Sequence, residues 1–125
     1  MTENEIARIV VDAAFKVHNT LGPGLLESVY ESVLAYELTQ RGLKVSRQVP
    51  LPVIYEEVRL EEGYRIDLLV EDMVVIEIKS IEMVAPVHKK QVLTYLRLSG
   101  RNLGLLINFG EAYIKDGITR LVNGL

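Results

Sequence analysis

The 125-residue chain has no cysteine and no tryptophan, and only two phenylalanines and four prolines. Without cysteine there is no disulfide, no thiolate zinc site and no cysteine nucleophile, so any metal must be held by oxygen or imidazole. The two histidines, His18 and His88, lie far apart with no second imidazole at ligand spacing, which argues against zinc. Long apolar runs are missing as well. Stretches such as Leu68 to Val70 and Val74 to Ile76 are broken by charge, far short of the roughly 20 residues that a bilayer requires. The first residues, Met-Thr-Glu-Asn-Glu, are acidic and lead straight into an amphipathic pattern, unlike the basic and then apolar regions of a signal peptide. A cytoplasmic location is therefore expected. An excess of positive charge is lacking too, since the formal net charge is -3, which argues against a sequence-independent nucleic-acid coat. The distribution is nevertheless uneven. Arg41, Lys44 and Arg47 cluster, as do His88, Lys89, Lys90, Arg97 and Arg101, while acids crowd Glu56 to Glu62.

Apolar residues make up 49% of the chain, enough to fill one core, so a single domain spanning residues 1–125 is expected. From Glu3 to about Thr20, Ile6, Ile9, Val10, Ala13, Ala14, Val17 and Leu21 recur at three- and four-residue steps, which predicts an amphipathic helix ended by Gly22-Pro23-Gly24. A second helix is predicted from about Leu25 to Gln40, with Gly42 as its C-terminal cap. The period then changes. Lys44 to Val49, Leu51 to Tyr55 and Val58 to Leu60 read as short strands separated by proline or charged pairs. Tyr64 to Val70 and Met73 to Ser80 form a predicted hairpin around Glu71-Asp72, and their continuous apolar stretches predict central strands covered on both faces. Pro86 opens a third helix that Gly100 stops. Leu103 to Phe109 is a further strand, and Ala112 to Val122 reads as a terminal hairpin on an Asp116-Gly117 turn. The order of elements implies an α/β sandwich around a mixed sheet.

Asp67, Glu77 and Lys79 stand inside apolar strands, where a charge is costly unless it is paired or metal-bound. Glu77 and Lys79 point to one face by alternation. If the hairpin loop is Glu71 to Met73, Val70 pairs with Val74 and Asp67 falls opposite Glu77, with β-carbons about 5 Å apart. A one-residue slip would place the two carboxylates on opposite faces. Two opposed acids with no soft ligand nearby suit a hard cation such as Mg²⁺ or Mn²⁺, with Lys79 offsetting charge that develops on a phosphate. A salt bridge from Lys79 to Asp67 or Glu77 accounts for the same spacing equally well. Glu27 shares a helical line with Tyr30, Leu34 and Leu38, so it borders the buried stripe, although an acid at a helix start ordinarily just complements the dipole. His88, Gln91 and Tyr95 fall near one line of the third helix, where His or Gln is commonly only solvated.

Taken in order, these residues match a known pattern. Gly24-Leu-Leu-Glu27-Ser-Val-Tyr30 follows His18-Asn-Thr-Leu-Gly-Pro, and then come Tyr64-Arg-Ile-Asp67, Glu77-Ile-Lys79 and His88-Lys-Lys-Gln91-Val-Leu-Thr-Tyr95. The set resembles the GxxExxY family, grouped with the PD-(D/E)XK nuclease superfamily, over nearly the whole chain. The resemblance implies a restriction-endonuclease-like αβββαβ core, a mixed central sheet flanked by helices. It also implies Asp67 and Glu77 as Mg²⁺ (or Mn²⁺) ligands, Lys79 as the catalytic lysine and Glu27 as the helical acid of the metal site. Gln91 and Tyr95, with Tyr30 and His88, would be accessory. The superfamily's proline before the aspartate is Ile66 here. The activity so implied is Mg²⁺-dependent phosphodiester hydrolysis of DNA or RNA. The alternative is a non-catalytic module of the same fold that binds nucleic acid or a protein partner, and a purely structural charge network is a third reading. From its size, a symmetric homodimer presenting two sites to two strands is expected.

Overall fold

Thr2 starts the first helix, α1 (Glu3–Leu21), through a reciprocal pair of bonds: its hydroxyl accepts from the Glu5 amide and the Glu5 carboxylate accepts from the Thr2 amide. The computed structural model describes residues 1–125, Glu62 by its backbone alone. Gly22, at φ 72°, ends α1 with its N–H on the His18 carbonyl. The second helix, α2 (Glu27–Gln40), begins two residues later than its periodicity suggests, because residues 22–26 form a separate loop. It ends as expected. Gly42 adopts φ 87° and the Leu43 N–H reaches back to the Leu38 carbonyl, a closure that a β-carbon would strain.

Five strands follow in one sheet, ordered β1 (Val45–Tyr55), β2 (Val58–Val70), β3 (Val74–Lys79), β4 (Leu103–Asn108) and β5 (Ile118–Val122). Neighbours pair antiparallel except β3 with β4, which run parallel and are joined by α3 (Pro86–Ser99). Three helices around this mixed sheet give the expected restriction-endonuclease-like αβββαβ arrangement, with α1 before it and β5 after it.

Two expectations need correction. The short strands predicted at Lys44 to Val49 and Leu51 to Tyr55 are one, β1, and the one predicted at Val58 to Leu60 runs on into the Tyr64 to Val70 strand as β2, with the turn at Glu56 and Glu57. Pro50 and Pro52 do not break β1, since it is an edge strand whose missing N–H groups deprive no second neighbour. The terminal hairpin is absent. Ile114–Gly117 forms a short 3₁₀ turn, and β5 pairs with β4 instead. Gly117 serves close approach here, because a β-carbon on it would lie 2.3 Å from the Asn108 carbonyl oxygen.

Apolar layers cover both faces of the sheet, which explains why alternation is lost in the central strands. On one face Ile6, Val10, Tyr30, Leu34 and Leu38 from the first two helices pack on Leu68, Val74, Ile76, Ile78 and Leu105. On the other, Tyr95 and Leu96 of α3 pack with Leu51, Ile66, Leu69 and Val75. Gly104 lets α3 lie close, since a β-carbon there would meet Val92 Cγ1 at 2.8 Å. Among the described residues no helix is long and apolar enough to cross a membrane.

Candidate functional site

The site lies where β2 and β3 part. Their antiparallel pairing runs Val70 to Val74, Leu69 to Val75 and Leu68 to Ile76, the register that places Asp67 and Glu77 one step further along. There the ladder changes character. The Asp67 carboxylate, through Oδ2, accepts the Ile78 N–H at 2.8 Å, taking a place a strand carbonyl would otherwise fill. On its other side β3 remains paired with β4 as far as Lys79 and Asn108. Glu77 is thus fixed by a central strand at the point where its neighbour on one side gives way to a side chain.

Glu77 is 5% exposed, and its Oε1 has no hydrogen-bond partner. Its Oε2 lies 3.7 Å from Lys79 Nζ, the outer limit of an ion pair. Burial pushes the Glu77 carboxyl up to about 8, and the charge of Asp67 adds to this while Lys79 opposes it and Glu27 reinforces it. The salt bridge weighed from the sequence therefore forms in part, between Lys79 and Glu77, but leaves one buried oxygen unsatisfied. Such an atom carries the full desolvation penalty, of order 1–3 kcal/mol or more for a charged group. A proton or a cation removes that penalty.

Glu27 reaches this end of β3 from the first turn of α2. Its Oε2 accepts the Ser80 N–H at 3.2 Å, and the Ser80 hydroxyl donates to the Leu25 carbonyl, so the loop before α2 is clamped to the residue after Lys79. Tyr30 lies behind this clamp. Its hydroxyl donates to the Gly22 carbonyl and accepts the Leu25 N–H, and its ring stacks on Phe109 at 4.5 Å. Leu26 offers no side-chain cap, so the Tyr30 and Ser80 hydroxyls fix the chain as it enters α2. Its place is in support of Glu27.

From the opposite face α3 contributes Tyr95, whose hydroxyl accepts from the Gln91 amide at 2.9 Å. Burial raises the Tyr95 hydroxyl above its ordinary range, and the charges of Glu77 and Asp67 raise it further, which puts it in the field of both carboxylates. His88 is engaged locally, its Nδ1 accepting the Ala85 N–H at the start of α3. His18 is a packing histidine, bonded to the Glu111 carbonyl and stacked on Phe109. Among the described residues, no three His, Asp or Glu side chains close into a cage able to hold an ion unaided.

Four participants escaped the sequence reading. Ser80 anchors Glu27, and Glu31, Arg47 and Gln48 form a network reaching Asp67. Glu31, one helical turn after Glu27 and on the same face, carried a usable signal. Arg47 and Gln48 carried none, because their role depends on β1 lying across α2.

A family model described as the PD-(D/E)XK nuclease superfamily matches residues 4–121. No curated protein and no solved structure matches the chain.

Proposed function

Because the chain belongs to the PD-(D/E)XK nuclease superfamily, we propose that it hydrolyses phosphodiester bonds of DNA or RNA with a divalent cation, Mg²⁺ or Mn²⁺, held by Asp67 and Glu77. The observation that carries this reading is the buried, unpartnered Oε1 of Glu77 beside a second carboxylate. The donor set fits a hard cation, since it consists of carboxylate oxygens only. An open set fits as well, because Mg²⁺ is usually held by one or two carboxylates together with water and substrate phosphate. Glu27, held by the Ser80 amide, is the third acid on offer.

When bound, such an ion supplies Lewis-acid polarisation of the phosphoryl group. The chain's own residues do the rest. Asp67 is oriented by the Ile78 N–H, and Glu77 is held by a strand paired to β4. The half-buried Lys79 ammonium is placed to offset negative charge that grows on the phosphate, in a site where burial strengthens the interaction. Gln91 donates to the Tyr95 hydroxyl, which lies in the field of the same two carboxylates. Two copies in a symmetric dimer would offer one site to each strand of a duplex.

The test is cleavage of labelled single- and double-stranded DNA and RNA with Mg²⁺ or Mn²⁺, alongside Glu77→Gln. Metal-dependent cleavage lost in Glu77→Gln is expected. The net charge of -3 favours a second reading, a non-catalytic module of the same fold whose partner is a protein, and an absence of both metal-dependent cleavage and nucleic-acid binding would select it.

A further inference from the structure

Glu31 is a buried carboxylate that the chemistry above does not use. It is 7% exposed, on the α2 turn after Glu27. Its Oε2 accepts from the Arg47 guanidinium at 3.0 and 3.2 Å, and the same guanidinium donates to the Ser32 hydroxyl. Its Oε1 accepts from the side-chain amide of Gln48, and that amide nitrogen also donates to Asp67 Oδ1 at 3.2 Å. One NH₂ group thus bridges two carboxylates, with each acid taking one of its two protons. Asp67 is held at both oxygens, at Oδ2 by a backbone amide of β3 and at Oδ1 by Gln48. The backbone at Gln48 bears on this too. It adopts φ 50°, the left-handed region that side chains other than glycine rarely occupy, within an edge strand whose paired neighbours on either side are regular. A strained residue whose side chain makes two specific bonds beside a reactive group marks a functional constraint.

We infer that Gln48, anchored by Glu31 and Arg47, is a positioning residue that sets the Asp67 carboxylate for the cation. This rests on the metal-dependent reading above. Asp67 stands beside Glu77, and the two repel once both are ionised, as cation ligands must be, so a donor on the far side of Asp67 keeps its free lone pairs directed toward the shared site. Outer partners of this kind typically change metal affinity 10- to 100-fold when removed.

Gln48→Gly provides the test, because glycine adopts φ 50° without strain while deleting the amide. Gln48→Ala deletes the amide and keeps the strain. Mn²⁺ affinity by calorimetry and the melting temperature of the metal-free protein are measured for the parent and both variants. The expected result is a loss of Mn²⁺ affinity of about 10-fold or more in both, with Gln48→Gly melting no lower than Gln48→Ala. If Gln48→Gly binds Mn²⁺ as tightly as the parent, or more tightly, the positioning role is wrong while the metal site stands. A melting point lowered in Gln48→Gly at unchanged affinity shows a link that only ties β1 to α2, and overturns the inference. If the parent binds no Mn²⁺ at all, the metal-dependent reading fails and this one fails with it.

Discussion

In the metal-free protein, Glu77→Gln should stabilise the fold at alkaline pH. Burial and the neighbouring Asp67 hold the folded-state carboxyl near 8, against 4.5 for an ordinary glutamate. Between those values the unfolded chain has released the Glu77 proton and the folded chain still binds it. Stability contributed by this proton is complete below pH 4.5 and is lost as pH rises toward 8. Each pH unit across that window is worth about 1.4 kcal/mol, so the whole effect is about 4 to 5 kcal/mol. Glutamine does not titrate, and its amide can donate to Asp67. In EDTA, denaturant unfolding at pH 5 should therefore give similar stabilities for parent and variant, and at pH 8.5 the variant should lead by several kcal/mol. A cation narrows the gap: at 100 times its dissociation constant it adds about 2.7 kcal/mol to the parent alone, a little over half of that lead. A pH-independent difference between the two proteins, or a variant weaker than the parent at pH 8.5, would show that the folded protein does not hold Glu77 protonated.

Lys79→Ala should bind Mn²⁺ at least as well as the parent and lose turnover, since it removes a positive charge from beside the ligands; calorimetry and single-turnover cleavage separate the two effects. Tyr30→Phe removes the hydroxyl that bridges the Gly22 carbonyl and the Leu25 amide, and should cost about 1–2 kcal/mol by denaturant unfolding. Gly104→Ala forces a methyl group to within 2.8 Å of Val92 Cγ1, and a thermal melt should show a loss of about 1–3 kcal/mol.

The helices and the β2–β3 hairpin were legible because their signals are local. Apolar periodicity located α1, Gly42 closed α2 at a positive φ, and the Glu71 to Met73 loop set the Val70 to Val74 pairing. Where reading by residue type failed, the residues were answering to neighbours distant in sequence. Pro50 suggested a break, yet an edge strand tolerates it. Asp116-Gly117 suggested a hairpin, yet Gly117 is required by the nearby Asn108 carbonyl. The same contrast holds in the site. Asp67, Glu77 and Lys79 stood out as charges in apolar strands, whereas the burial of Glu31 depends on Arg47 and Gln48 of β1, which lie far from it in sequence. Tyr30 was visible as part of a motif, but its support of the loop before Glu27 could be seen only in the fold.

Function at this site turns on whether the Asp67–Glu77 pair holds a cation. Anomalous diffraction from crystals soaked in Mn²⁺ asks this directly. The structure predicts a peak between the two carboxylates that disappears in Glu77→Gln, and a saturating soak that leaves this position empty while both side chains keep their places would contradict it.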